Sequence, residues 1–546
     1  MTLRSVSTLN RACASVVASV RPQPATEHHR RRLASSLATH LASRRAEPQQ
    51  HQQQQTPAKY SIAIVGGGPA GFYVAHHLLK HRQDITVDIF ERLRMPFGLV
   101  RYGVAPDHPE VKNVTNTFEQ VLANDRTQYF GNVEVGKDIG LKELQSLYSG
   151  VVLTYGAESD QLLSVPGEFP GPRLSDNKHP SLAELHQADR SAAASGGVIS
   201  ARSFVGWYNG HPDQTALNPS LTRGDTAVVF GQGNVSLDIA RMLLAPIDAL
   251  QRTDMADHAL AELRRSTIKR VVLVGRRGPL EVAFTIKELR EMTKLPGVAS
   301  TLKRLELTPE EVAYYNNERP RRRLTELLVS TSEAAQSLTL TPDQRRWELL
   351  FQRMPDGIVR DAAGNVTGVR LRHTALQGAP GSRSAVALEQ TEFIPCSLVI
   401  RSIGYRSLAL PELPFDARRG IIPNIKGRVV TPSQPGEPTI LPGLYCAGWV
   451  KHGPLGIIAT TMNDSFATSS LILDDITKQA LPPSPVASSA SPSALPQFVF
   501  NKQAFLAANA TELAAGTAQE RPRIKMLHAD PATLADAQSE TAHGAN

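Results

Sequence analysis

Two glycine-rich turns carry the first chemical information in this chain. Residues 66–71 read GGGPAG after the apolar run SIAIV, and residues 231–236 read GQGNVS after TAVVF. In a turn between a strand and a helix, the first glycine permits the tight bend and the second lets the backbone approach a pyrophosphate. The third lets helix and strand pack closely. Gly66, Gly68 and Gly71 fill these places in the first turn; Gly231, Gly233 and the small Ser236 fill them in the second. The strands that follow end differently. ITVDIFE closes on Glu91, where a carboxylate accepts hydrogen bonds from a ribose. RVVLVG runs into Arg276 and Arg277, and two guanidinium groups suit a ribose 2′-phosphate. The first unit therefore reads as the site of a dinucleotide without that phosphate, and the second as an NADP(H) site. Two dinucleotides held face to face allow hydride exchange, with a flavin in one turn and a nicotinamide in the other.

Each signal has a plainer reading. A glycine-rich helix start can merely pack, and adjacent arginines are more often a solvated turn. The order strand, turn, helix, strand and terminal acid favours the dinucleotide reading of the first unit. The place of Arg276 and Arg277 at the end of a second strand favours the phosphate reading of the other.

These turns need a scaffold, and a length of 546 residues exceeds what one hydrophobic core usually supports. The expected class is α/β, with two Rossmann-type dinucleotide-binding domains. Hydrophobic content of 41% and charged content of 20% are ordinary for a globular chain. No run of about 18 apolar residues spans a bilayer, which leaves room only for a peripheral membrane contact. Cys13, Cys396 and Cys446 are far apart and form no CxxC pair, arguing against a disulfide framework, a metal site or an iron–sulfur cluster held by this chain.

The net charge of +8 lies mostly at the start of the chain. Residues 1–47 hold eight arginines, from Arg4 to Arg45, against Glu27 and Glu47. The excess is thus no nucleic-acid signal. An arginine- and serine-rich, acid-poor start with short apolar pieces fits a mitochondrial transit peptide better than a basic tail without an address. The run PQQHQQQQTP that follows reads as a linker, so folding should begin near Tyr60.

Beyond the turns, PFGLVRYGVAPDHPEVKNV, FVGWYNG, GQGNVSLDIAR, VGRRGP, VAFTIKELREM and GLYCAGWVKHGPLGIIATTMNDSFAT together resemble the mitochondrial adrenodoxin reductase family. These are NADPH-dependent ferredoxin reductases of glutathione-reductase-like fold. The resemblance runs from about Tyr60 to about Asp475. It implies an FAD domain interrupted by an NADP domain: presequence and linker over 1–56, FAD-binding segments over 57–160 and 405–479, NADP-binding domain over 161–404, and a C-terminal extension over 480–546. FAD contacts are implied at Ala70, Glu91, Leu99, Val135 and Trp449, and at Gly456, Ile457 and Ile458, whose helix start would face the anionic side of a reduced flavin. NADP contacts are implied at Gln232, Gly233, Asn234, Val235, Arg276, Arg277, Glu288 and Gly456. His108 and Asp238 stand within the motifs as groups that would couple protonation or partner contact to the cycle, or serve as structural hydrogen-bonding residues. At His452 the family more often has a second basic residue, which bears on the charge beside the flavin.

The implied activity is hydride transfer from NADPH to FAD, followed by single-electron release to an acidic 2Fe-2S ferredoxin in the mitochondrion, either in the matrix or peripheral on the inner membrane. Arg319, Arg321, Arg322 and Arg323, in ERPRRRLTELL, form a basic segment that suits such a partner, though any one of them is equally a solvated helix end. Three alternatives differ in visible features. A disulfide reductase of the same fold needs a redox cysteine pair, and a glutamate-synthase-type electron-input subunit needs N-terminal cysteine clusters. A non-enzymatic flavin-binding module has no use for paired arginines. Residues 170–195 read as an inserted surface loop, and the Ala/Ser/Pro-rich stretch from Ala480 to about Gln519 as a mobile tail clear of the motifs.

Overall fold

The computed structural model describes residues 59–169, 197–317, 319–431, 436–484 and 499–527. The inserted loop expected at 170–195 and the presequence lie outside these residues. Two parallel-rich sheets organise what is described. The first has the order β16-β17-β18-β4-β1-β2-β3, built from β1 (Tyr60–Val65), β2 (Ile85–Glu91), β3 (Thr127–Gly131), β4 (Gly150–Leu153), β16 (Asn424–Ile425), β17 (Arg428–Thr431) and β18 (Thr439–Cys446). The second has the order β6-β14-β7-β8-β10-β9, built from β6 (Val198–Ser200), β7 (Thr226–Phe230), β8 (Arg270–Val274), β9 (Val298–Leu302), β10 (Arg345–Leu350) and β14 (Leu398–Arg401).

Each sheet has a parallel pair at its heart: Ile64 beside Ile89 in the first, Val229 beside Leu273 in the second. The strands SIAIV and TAVVF are continuous apolar runs because helices cover both faces of such sheets. Ile62, Ile64, Val87 and Ile89 are fully buried with Phe72 and Phe118 in the first core, and Ala227, Val229, Val271 and Leu273 with Trp347 in the second. The chain leaves the first sheet and returns to it, which is the interrupted arrangement expected. Where it crosses between the two, β5 (Ser159–Asp160) pairs antiparallel with β15 (Tyr405–Arg406). Arg401, buried beside this pair, donates to Glu168 at 2.8 Å and Asp160 at 3.3 Å.

The helices used below are α1 (Pro69–His81), α2 (Asn234–Leu244), α3 (Ile286–Thr293), α4 (Arg319–Ala335), α5 (Ile458–Thr477) and α6 (Lys502–Ala518). A third, antiparallel sheet of β11 (Arg353–Arg360), β12 (Val366–Gln377) and β13 (Ser384–Pro395) has no counterpart in the sequence reading. It braces the second nucleotide turn, since Thr374 donates to the Arg276 carbonyl at 2.7 Å. Among the described residues no helix is long and apolar enough to cross a membrane.

The tail beyond Ala480 departs from expectation. Residues 485–498 lie outside the described set, but Lys502–Ala518 form a helix that buries Phe505, Ala508, Asn509, Glu512 and Gly516. Phe505 meets Phe97 edge-on at 5.4 Å, and the Arg101 guanidinium pairs with Glu512. Phe97 and Arg101 belong to PFGLVRYGV, so the tail touches a motif it was expected to avoid. An alanine-rich helix can pack closely because small side chains let backbones approach, and its composition alone resembles that of a mobile segment.

Candidate dinucleotide sites

The first glycine turn is fixed by backbone geometry that other residues cannot copy. Gly66 has φ +110°, and a Cβ there would lie 2.6 Å from Tyr155 Cα. A Cβ on Gly71 would lie 2.3 Å from the Gly66 carbonyl oxygen. At Gly68, the N-cap of α1, a Cβ would meet no protein atom within 4 Å, so the space above the helix start is open. The first turn of α1 carries no acid, so its partial positive charge is available to an anion. Glu91 closes the turn from the other side. It is 8% exposed, accepts the Gly67 N–H at 2.7 Å and the Leu93 N–H at 2.9 Å, and its carboxyl is raised above the ordinary range, chiefly by burial.

A cleft of about 610 Å³ opens here. Gly66, Glu91 and Val135 line it together with Tyr155, Arg406 and Pro411. The remaining residues implied for FAD do not line this cleft. A Cβ on Gly98 would lie 3.1 Å from Gly68 Cα, so the helix Gly98–Tyr102, which carries Leu99, seats against the turn. A Cβ on Gly448 would lie 2.7 Å from that of Ala70, bringing the late CAGW segment onto the same turn. Trp449 stacks on Tyr405 at 5.5 Å. Gly456 has φ +86° and is followed by the start of α5, flanked by Leu455 and Ile457, which are 71% and 58% exposed. The Ile457 N–H already donates to Thr460 Oγ1 at 2.9 Å. At the position of His452, Lys451 donates to Asp464 at 2.5 Å, and His452 lies 4.0 Å from the same carboxylate.

The second turn repeats this geometry. Gly231 has φ +133°, and a Cβ there would lie 2.0 Å from the Ser402 carbonyl oxygen. Gly233 caps α2, whose first turn has no acid, and faces open space. Gln232 donates to the Leu350 carbonyl at 3.2 Å, Asn234 accepts the Thr285 N–H at 2.8 Å, and Val235 packs against the core beside them. Arg276 is exposed and Arg277 half-buried; among the described residues neither guanidinium has a carboxylate partner. Two unneutralised cations beside an open helix start are what a phosphorylated ribose requires.

Between the turns lies a charge cluster that sequence reasoning saw only in part. Arg241, on α2, donates to Asp107 at 2.5 Å, to Asp238 at 2.7 Å and to Glu288 at 3.3 Å. His108 Nε2 lies 2.7 Å from Glu291 and 3.9 Å from Glu288. His108, Asp238 and Glu288 are thus brought together, and Asp107, Arg241 and Glu291 are the members missed. The signal was available, since Arg241 ends the motif GQGNVSLDIAR and Glu291 follows Glu288 by one helical turn. Burial, reinforced by the charge of Asp238, lifts the Glu288 carboxyl to about 6, and burial raises Asp238 as well. His108, Glu288 and Glu291 offer ligand atoms within 4.8 Å of one another, but Arg241 already supplies the cation among them.

Residues 64–130 match the NAD(P)-binding Rossmann-like domain. The mitochondrial NADPH:adrenodoxin oxidoreductase of Bos taurus is 46% identical over 488 residues, covering 87% of this chain and 91% of its own. The Homo sapiens protein of the same name is 48% identical, covering 79% and 82%. The chain belongs to the mitochondrial NADPH:adrenodoxin oxidoreductase family. In structure it is similar to Mycobacterium tuberculosis FprA in complex with NADPH, with a TM-score of 0.73 and 34% identity over 89% of this chain and 99% of that one. The two-sheet architecture is accordingly that of the glutathione-reductase-like flavoproteins.

Membership of the family does not rescue every expectation. Arg321, placed in the basic partner segment, turns inward: its guanidinium donates to the Leu280 carbonyl and lies over the Tyr314 ring at 5.4 Å. It anchors the start of α4. Arg319, Arg322 and Arg323 stay exposed, with Arg322 3.7 Å from Glu326 one turn on. Cys396 and Cys446 are buried, and burial pushes both thiols up to about 12, so neither is a ready nucleophile.

Proposed function

We propose that the 610 Å³ cleft, together with the CAGW segment that carries Trp449, holds FAD, and that the second turn holds NADPH through Gln232, Gly233, Asn234, Val235, Arg276, Arg277 and Glu288. The protein is an NADPH-dependent oxidoreductase that passes electrons through FAD to an adrenodoxin-type ferredoxin. The observation that carries the residue assignment is the pair of open, acid-free helix starts at Gly68 and Gly233, one closed by Glu91 and the other flanked by two arginines that have no carboxylate partner among the described residues. A non-enzymatic flavin-binding module leaves those arginines without a purpose.

FAD, when bound, supplies the acceptor that takes a hydride and hands on electrons singly. This chain's residues then have positional and electrostatic roles. The starts of α1 and α2 would stabilise the pyrophosphates, and Arg276 and Arg277 would hold the 2′-phosphate. The start of α5, also free of acids in its first turn, favours negative charge on the ring it faces. Domain limits of 57–160 and 405–479 for the flavin half and 161–404 for the NADP half are supported by the division of strands between the two sheets.

Arg319, Arg322 and Arg323 form the face we assign to the acidic 2Fe-2S ferredoxin, steered by charge. Action in the matrix, or peripherally on the inner membrane, fits a soluble ferredoxin partner. The test is to mix the purified flavoprotein with NADPH and its host's mitochondrial ferredoxin and follow cytochrome c reduction. Turnover that needs all three components is expected; turnover indifferent to the ferredoxin would overturn the partner.

A further inference from the structure

The NADP half is joined to the flavin half by two chain crossings, and these pair with one another as β5 and β15. Two crossings that run together act as one hinge, which leaves the halves a rotation unless something else fixes it. Beyond this hinge, a set of side-chain ion pairs joins the halves: Arg92 donates to Asp213 at 2.8 Å, and the others come from residues 107–112. Lys112 donates to Asp254 at 2.6 Å, Lys287 donates to Glu110 at 2.8 Å, and Arg241 meets Asp107.

A third connection comes from the C-terminal segment. At one end it belongs to the flavin half: Phe500 and Gly131 exchange backbone hydrogen bonds at 2.9 Å, and Glu512, fully buried, pairs with Arg101. At the other end it grips the NADP half. Arg521 donates to the Thr253 carbonyl at 2.9 Å and to Asp257 at 2.5 Å, and its guanidinium also reaches the Met255 carbonyl. Lys525, whose side chain is 1% exposed, lies 3.1 Å from Asp254 and donates to Asn209 at 3.2 Å. Arg523 and the Met526 N–H return to Glu512 at 3.1 and 2.8 Å, so the segment after α6 is tied to α6 itself.

The meeting point is Asp254, one buried carboxylate held by two ammonium groups. Lys112 brings it the flavin half and Lys525 brings it the tail. A second buried ammonium on a carboxylate already paired adds a desolvation cost for little further attraction, so its effect is on position more than on stability. The charges agree with this. Burial pushes Asp254 up, but Lys525 and Lys112 outweigh it and hold the carboxyl low, while burial, helped by the Lys112 charge, brings Lys525 down to about 7.

We propose that residues 521–527 are an interdomain strap, with Arg521 and Lys525 as positioning residues that fix the NADP half so that the nicotinamide meets the flavin ring. The inference rests on the reading that the two glycine turns hold FAD and NADPH. The strap touches neither turn, so loosening it should leave both cofactors bound and slow the passage between them.

The test uses the full-length FAD-loaded protein with Arg521→Met and Lys525→Met together. Three quantities are measured: FAD content, the NADP+ dissociation constant by absorbance titration, and the rate of flavin reduction at saturating NADPH by stopped flow. Flavin reduction at least tenfold slower, with FAD content and NADP+ affinity within twofold of wild type, is expected. Hydrogen exchange at residues 253–257 should quicken in the same variant. Flavin reduction within twofold of wild type would overturn the strap, as would equal losses in NADP+ affinity and reduction rate. If the double variant does not fold, Lys525→Met alone, which leaves Asp254 paired with Lys112, decides by the same readings. A wild type that NADPH cannot reduce would instead overturn the two-dinucleotide reading, and hydrogen exchange at 253–257 would then decide the strap by itself.

Discussion

Arg241 donates to Asp107 at 2.5 Å, tying the helix after the second glycine turn to the loop that follows the flavin-side motif PFGLVRYGV. The guanidinium is 3% exposed and is shared with Asp238 and Glu288. Its removal would leave buried carboxylates without a cation. Arg241→Met should therefore lower stability by about 3–5 kcal/mol, read from urea unfolding of the FAD-loaded protein. Arg241→Lys should restore only part of this, because an ammonium cannot present a planar fork to three acceptors. A loss under about 1 kcal/mol for the methionine variant would show that the cluster is solvated and weak.

Glu288 should make stability depend on pH. Its carboxyl stands at about 6 against an ordinary value of 4.5. A folded value above the unfolded one stabilises the folded state fully below the unfolded value, and this contribution is lost as pH rises through about 6. The difference amounts to about 2 kcal/mol. Urea unfolding of wild type and Glu288→Gln at successive pH values should show wild type losing that much relative to the variant between about pH 4 and pH 7. A pH-independent difference would place the titration on another group.

Glu91, proposed to hold a ribose, also holds the glycine turn, since both carboxylate oxygens already accept backbone N–H groups. Glu91→Ala should lose FAD on dialysis at low flavin concentration and also cost about 1–3 kcal/mol of stability by leaving two buried donors unpaired. The visible spectrum after dialysis and a thermal melt measure the two effects. Full yellow occupancy would remove Glu91 from the flavin site.

On the proposed assignment, Arg276 and Arg277 should decide cofactor choice. Two charge-assisted contacts, discounted for exposure, favour NADPH over NADH by about 2–4 kcal/mol, on the order of 10²–10³ in kcat/KM. Replacing both with glutamine should erase most of this by weakening NADPH use, with NADH use and flavin spectrum nearly unchanged. Ferricyanide reduction with each nucleotide gives the ratio.

Charge reversal of Arg322 and Arg323 should raise the ferredoxin KM, steeply so at low salt, while NADPH-to-ferricyanide turnover stays at the wild-type rate. Arg321→Ala should behave differently, lowering thermal stability through the lost Leu280 and Tyr314 contacts and barely moving the ferredoxin KM. If Arg321→Ala alone reproduces the KM effect, the inward orientation is not what governs docking.

What the sequence determined by itself was local. Glycines at 66, 68, 71, 231 and 233, the apolar runs before them, Glu91 at one strand end and Arg276 and Arg277 at another are all set by neighbours within one strand–turn–helix unit, where spacing reports geometry directly. The interrupted order of the two sheets was legible only through the family resemblance, which implies a late return to the flavin unit at CAGW. Tertiary structure decided what depends on distant partners. Arg101 finds Glu512 across 411 positions and Lys525 finds Asn209 across 316, so no periodicity near either residue announces the pair. The same applies to Arg321, indistinguishable in sequence from Arg322 until helix packing turns one toward Leu280 and the other to solvent. An alanine-rich tail reads as mobile because its own composition cannot pay for order; it becomes a packed helix because aromatic and charged groups of another part of the chain supply the contacts.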